Sequence, residues 1–158
     1  MKFKAGIEQS IYILLILGRI PNEHAITSDD ISARLRLSPS YLKKLMKLLV
    51  HEGLLISSTG KNGGFSLAKP LSEITLSNVF DAIEGRGALY NDTDLISNLT
   101  GENNNSKKCS IKLVMDTIEN DWRSQLKQVT LQQLEEEIMK DFNSNSIDEW
   151  INSVIQKK

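Results

Sequence analysis

Apolar residues repeat with a helical period from the start of the chain. Ile7, Ile11, Leu14, Leu15 and Gly18 fall on one face, as expected for a helix with one buried side, and Gly18 and Pro21 close it. Thr27, three residues before Asp30, signals a second helix start, because its hydroxyl accepts orphan backbone N–H groups. Ile31 and Leu35 then face inward. Ser38-Pro39 is a third start: Ser38 caps, and Pro39 takes the first helical position, where its missing N–H costs nothing. Leu42, Leu45, Met46 and Leu49 form the stripe of this helix, and Gly53 ends it in a left-handed conformation.

The period then changes. Leu54–Ser58 and Phe65–Ala68 are short β-type runs around Thr59-Gly60-Lys61-Asn62-Gly63-Gly64, which reads as a hairpin with a glycine-rich tip, ended by Pro70. Thr75 caps a short helix carrying Leu76, Val79, Phe80 and Ile83 and ending at Gly85. Residues 89–108 are polar and contain Asn103-Asn104-Asn105, the composition of a mobile loop. Ile111, Val114, Ile118, Trp122, Leu126 and Val129 step by three or four, one apolar stripe along a long helix. Thr130 with Gln133 and Ser146 with Glu149 read as capping boxes opening two last helices. The expected fold is mainly α with a small β-hairpin wing. Its parts are a winged helix-turn-helix domain at 1–87, a flexible loop at 88–108, and a dimerisation helix with C-terminal helices at 109–158.

Two short helices and a glycine-tipped hairpin make a winged helix-turn-helix pattern, which points to DNA. The polar face of the helix after Ser38 offers Ser38, Ser40, Tyr41, Lys43, Lys44 and Lys47. Hydroxyls can bond phosphates or base edges, lysines supply the cationic attraction, and the helix N-terminus itself favours a phosphate. At the tip, Lys61, Asn62, Gly63 and Gly64 let backbone approach a phosphate or a minor groove closely. The stripe from Ile111 to Val129 is too apolar for a projecting helix and is expected to pair with its twofold mate.

The whole-chain charge on its own opposes this reading, because the 158 residues carry a formal net charge of −1. The sum hides a division: residues 34–69 carry +6 and residues 70–158 carry −6. The positive charge lies on the candidate reading unit. The run Ile11–Leu17 is too short to span a membrane and no small-residue cleavage site follows it, so a cytoplasmic protein is expected. The two histidines, His24 and His51, have no metal-ligand spacing. Acidic runs sit with no base or nucleophile, so no enzyme is expected. Trp122 and Trp150 lie on apolar stripes, which favours packing over a ligand box.

Several segments together resemble the Rrf2 family of bacterial winged-helix transcription regulators. They are Ile31-Ser32-Ala33, Ser38-Pro39-Ser40-Tyr41-Leu42, Gly60 through Gly63-Gly64-Phe65-Ser66-Leu67-Ala68, Glu73-Ile74-Thr75-Leu76 and Ala82-Ile83-Glu84-Gly85. The resemblance implies a homodimeric repressor bound to double-stranded DNA at an inverted repeat, with the Ile111–Val129 stripe as dimerisation helix. It also allows an alternative, a regulator that acts by docking a metabolic enzyme. Two departures matter. Thr59 stands where family members carry an arginine before the wing glycine. Cluster-binding members carry three cysteines before the long helix, whereas this chain has Cys109 alone, so no iron–sulfur cofactor is expected. Cys109 follows Lys107 and Lys108 near a helix start, a setting that favours thiolate. It is the candidate redox sensor, against the alternative of a cysteine packed at a loop–helix junction, and the effector would be thiol-reactive or another small molecule.

Overall fold

The structure, a computed structural model, describes residues 3–21, 23–60, 63–93, 95–101 and 109–156. Helix α1, Gly6–Gly18, is the pillar of the fold. Ile7, Ile13, Leu14, Leu15, Ile16 and Leu17 are all buried, so the helix is covered on more than the one face its stripe implies, as befits an element enclosed by others. Helices α3 (Pro39–His51), α4 (Leu76–Glu84) and α7 (Leu131–Asp141) pack on it, as does the hairpin.

The helix-turn-helix forms through its caps. Thr27 Oγ1 accepts from Asp30 N at 3.1 Å and opens α2, Ser28–Leu35. Arg36 ends α2 in the left-handed region at φ +53°, ψ +41°. Leu37 N then returns to the Ser32 carbonyl at 3.0 Å, and Ser32 Oγ donates to the Leu37 carbonyl at 2.9 Å. These bonds satisfy the turn internally. Ser38 Oγ accepts from Tyr41 N at 3.4 Å, Pro39 holds the first helical position, and α3 ends before Gly53 at φ +72°.

Strands β1 (Leu55–Ser58) and β2 (Gly64–Leu67) pair antiparallel, from Leu55 opposite Leu67 to Ser58 opposite Gly64. Ile26 adds a bridge to Phe65, with N···O distances of 3.1 and 2.8 Å, which anchors the hairpin to the chain entering α2. A 3₁₀ turn at Leu71–Glu73 follows, and Thr75 N donates to Asn78 Oδ1 at 2.9 Å where α4 starts.

Three features differ from expectation beyond this point. Residues 89–108, expected as a loop, contain the helix α5, Leu95–Thr100, which buries none of its side chains. The C-terminal helix α8 spans Asn145–Gln156, not a span opened by a Ser146–Glu149 box. Ile147 N and Asp148 N donate to the Ser144 carbonyl, while Ser146 Oγ receives Arg34 at 3.0 Å. Finally, the long helix α6, Ser110–Gln128, does not present its stripe to one neighbour. Among the described residues, no helix is long and apolar enough to cross a membrane.

The C-terminal helices share the core of the first four. Thr130 and Gln133 form the expected box: Thr130 N donates to Gln133 Oε1 at 2.9 Å, and Gln133 N to Thr130 Oγ1 at 3.2 Å. The same segment forms a two-bond clip. Leu76 N donates to the Val129 carbonyl at 2.9 Å, and Leu131 N to the Ile74 carbonyl at 2.8 Å. Leu131, Ile151 and Val154 are buried with α1 and α3 side chains. Arg19, at the end of α1, reaches Glu135 of α7 at 2.6 Å and both carboxylate oxygens of Asp148 of α8 at 3.0 and 3.2 Å. Those bonds, with a second from Ser144, hold the Asp148 carboxyl below its ordinary range.

Candidate nucleic-acid interface

Helix α3 buries Leu42, Leu45, Met46 and Leu49 and leaves its other face to solvent. On that face Ser38, Ser40, Lys43, Lys44 and Lys47 are exposed. Ser38 Oγ and Ser40 Oγ lie 3.0 Å apart, beside the open N-terminus of the helix. Lys43 pairs with Asp29 of α2 at 3.3 Å, which offsets part of its charge. Lys44 and Lys47 form no ion pair among the described residues. Tyr41 is exposed at its ring but turned at its tip: a Cβ added at Gly6 would meet its hydroxyl at 3.1 Å. That hydroxyl therefore lies against α1, a contact invisible in the local pattern around Ser38.

Arg36, close to this face in the chain, was not among the expected contact residues. It is exposed, forms no ion pair among the described residues, and stands in the turn directly before α3. Only Arg36 and Leu37 separate Leu35 from the cap Ser38, a short turn that favours a left-handed residue and could have marked Arg36. Arg34, counted with the same positive segment, faces elsewhere. It donates to Ser146 and lies 5.6 Å from the centre of the Trp150 ring.

The wing tip has its own constraint. Lys61 and Asn62 lie outside the described residues. Gly63 N returns to the Gly60 carbonyl at 3.0 Å. A Cβ on Gly63 would stand 2.7 Å from the Ser58 carbonyl oxygen, so crowding by backbone requires glycine there. Gly64 has φ +152°, and a Cβ on it would meet the Ile26 carbonyl oxygen at 2.6 Å. The Ile26 bridge to Phe65 causes that approach.

The stripe assigned to dimerisation divides in two. Ile111 and Ile118 are 62% and 53% exposed, and Val114 lies exposed between them. Trp122, Leu126 and Val129 are half-buried, and this half of α6 packs on α4. Trp122 stacks on Phe3 at 5.9 Å between centroids and meets Phe80 edge-on at 5.4 Å. Phe3 and Phe80 also meet edge-on at 5.0 Å. Trp122 thus packs within its own chain. Cys109 caps α6, accepts from Leu113 N through its carbonyl at 3.1 Å, and is half-buried. Lys107 and Lys108 lie outside the described residues. No group of three His, Cys, Asp or Glu side chains converges on a metal position among the described residues.

The sequence pattern of the Rrf2 family, described as iron-dependent transcriptional regulators, matches residues 3–137. A putative helix-turn-helix transcriptional regulator of Lactococcus lactis, YffB, is 46% identical over 155 residues, covering 98% of this chain and 99% of that one. YwgB of Bacillus subtilis, of the same description, is 42% identical over 152 residues, covering 96% and 95%. The solved structure of CymR, the global cysteine regulator of B. subtilis, superposes with a TM-score of 0.64 at 21% identity, covering 85% of this chain and 95% of that one.

Proposed function

Because the chain belongs to the Rrf2 family of DNA-binding transcription regulators, which are not enzymes, we propose that it is a homodimeric cytoplasmic repressor of an inverted-repeat operator. In this reading α3 enters the major groove by its N-terminal end. The β1–β2 tip lies along the flanking backbone or minor groove. Twofold symmetry places the half-sites about one helical turn, or a multiple of it, apart. The observation that carries the reading is that Lys44 and Lys47 of α3 and the preceding Arg36 stand exposed with no acidic partner among the described residues. A site of that kind neutralises phosphates and releases their counterions.

Gel shifts of Lys44→Glu and Lys47→Glu test it. Each substitution is expected to weaken binding and lower the slope of log affinity against log salt by about one unit. Unchanged affinity and slope in both would remove α3 as the reading element.

The mate of the exposed half-stripe Ile111, Val114 and Ile118 is, in this proposal, a second copy of the chain. Iron takes no part. An iron–sulfur cluster needs several thiolates, and Cys109 is the chain's one cysteine. That thiol heads the exposed half-stripe, and we assign it the sensor role. Cys109→Ser should then abolish the loss of DNA binding under peroxide, and an unchanged oxidant response would leave the thiol a packing role.

A further inference from the structure

Behind the reading face, charged side chains join the end of α3 to α6. Glu52 directly follows α3 and is 10% exposed at its side chain. A carboxylate at the negative end of a helix dipole is unfavourable by itself. It is balanced here by Arg86, which binds it through Nη2. Arg86 Nε also reaches Asp81 of α4 at 3.8 Å. The other oxygen of Asp81 faces Arg123 Nη1 of α6 at 3.5 Å. Arg123 spreads its remaining donors over Glu119 Oε1 at 2.8 Å and the Gly87 carbonyl at 2.8 Å. Glu119, 15% exposed at its side chain, accepts Leu89 N on its second oxygen at 2.9 Å.

We propose that Glu52, Arg86, Asp81, Arg123 and Glu119 form a positioning chain, which fixes α6 relative to the rear of α3 so that a displacement of α6 changes DNA affinity. The inference rests on the reading of α3 as the DNA-binding helix. Single exposed ion pairs contribute little. Here Arg86 is 68% exposed at its side chain, but its carboxylate partners Glu52 and Asp81 are 10% and 19% exposed and Arg123 is 24% exposed, so the linked pairs restrict geometry from their less exposed side. Arg123 holds Glu119, Asp81 and the Gly87 carbonyl at once through its planar fork, which a lysine cannot reproduce, while Arg86 binds Glu52 and faces Asp81 only as an ion pair. The chain bypasses the apolar contact of Phe3, Phe80 and Trp122 and runs parallel to it. Two sets of contacts of different chemistry therefore link α6 to α4, and one of them continues to α3. None of the five residues lies on the exposed face of α3, so the proposal treats them as positioning residues.

The test uses a duplex selected by the wild-type protein from a randomised library, with Glu52→Gln, Arg123→Gln and the double variant. Glu52 and Arg123 do not touch each other, so independent effects would add. The expected result is a loss of about tenfold in affinity for each single variant, with the double variant no weaker than the worse single. The salt slope of Arg123→Gln should match the wild type, because no phosphate contact is lost. Additive losses, unchanged affinity or a lowered Arg123→Gln slope would overturn the positioning chain. If the wild type selects no duplex, the DNA reading itself fails. The chain is then read from the spin-label distance between Lys47→Cys and Gln125→Cys in a Cys109→Ser background. A narrow distribution that broadens on Arg123→Gln is expected, and one that does not change overturns the proposal.

Discussion

Arg19 ties three helices with one guanidinium, reaching Glu135 on α7 and Asp148 on α8 from the end of α1. The pin has a pH signature. A carboxyl held below its ordinary range stabilises the fold fully above the unfolded value, about 3.9 for Asp, and loses that contribution as pH falls through the folded value. Acidification below about pH 4 should therefore release α8 early. Trp150 fluorescence in a Trp122→Phe background reports it, and Asp148→Asn should remove that component of the acid transition. An identical acid profile in the variant would exclude the pin as its source. The wing glycines are a second case at this scale. Gly63 and Gly64 are readable in the sequence as a turn, but the reason for each is not. Gly63 answers to the Ser58 carbonyl, and Gly64 to the Ile26 backbone that bridges Phe65 beside it. Gly64→Val should thus distort the hairpin and weaken DNA binding while α3 stays folded, seen by gel shift beside far-UV circular dichroism.

Elements were legible wherever their signals are local. Thr27, Ser38 and Thr130 open helices where their caps stand, and Gly53 follows the end of α3 in the left-handed conformation. Signals that depend on remote partners were not. Ser146 reads as a cap beside Glu149, yet it bonds Arg34 of α2, and the helix starts two residues earlier than that cap implies, at Asn145 after Ser144. The Ile111–Val129 stripe looks uniform because periodicity records apolarity and not its partner. Half of it meets Phe3 and α4, and half meets solvent in the single chain. The clip between Ile74-Thr75-Leu76 and Val129-Thr130-Leu131 is likewise silent in sequence, since backbone bonds carry no residue signature. It places Leu131 at the centre of the core. Leu131→Ala should cost about 2–5 kcal/mol, measured by urea unfolding, by loss of buried surface and an unfilled cavity. A change below ~1 kcal/mol would mean that α7 contributes little to the core.

At the scale of the whole molecule, a near-zero net charge conceals a division along the chain, +6 over residues 34–69 and −6 over residues 70–158. The candidate site was readable as a basic helix and a glycine tip. Its division was not: Arg34 turns to α8, Lys43 faces Asp29, and Lys44, Lys47 and Arg36 stay open. In the proposed dimer, a second copy of the chain would cover the exposed half of α6 and double this basic face. Val114→Asp with Ile118→Asp should convert the dimer to monomer in sedimentation equilibrium and reduce cooperative DNA binding with it. A variant that sediments as the wild type does would place the interface elsewhere. The most direct test of the central claim is a hydroxyl-radical footprint of the wild-type protein on its selected duplex. Two symmetric protected blocks, about one helical turn or a multiple apart and both lost in Lys44→Glu, are the predicted result. A single asymmetric block, or protection that survives Lys44→Glu unchanged, would contradict a twofold reader built on α3.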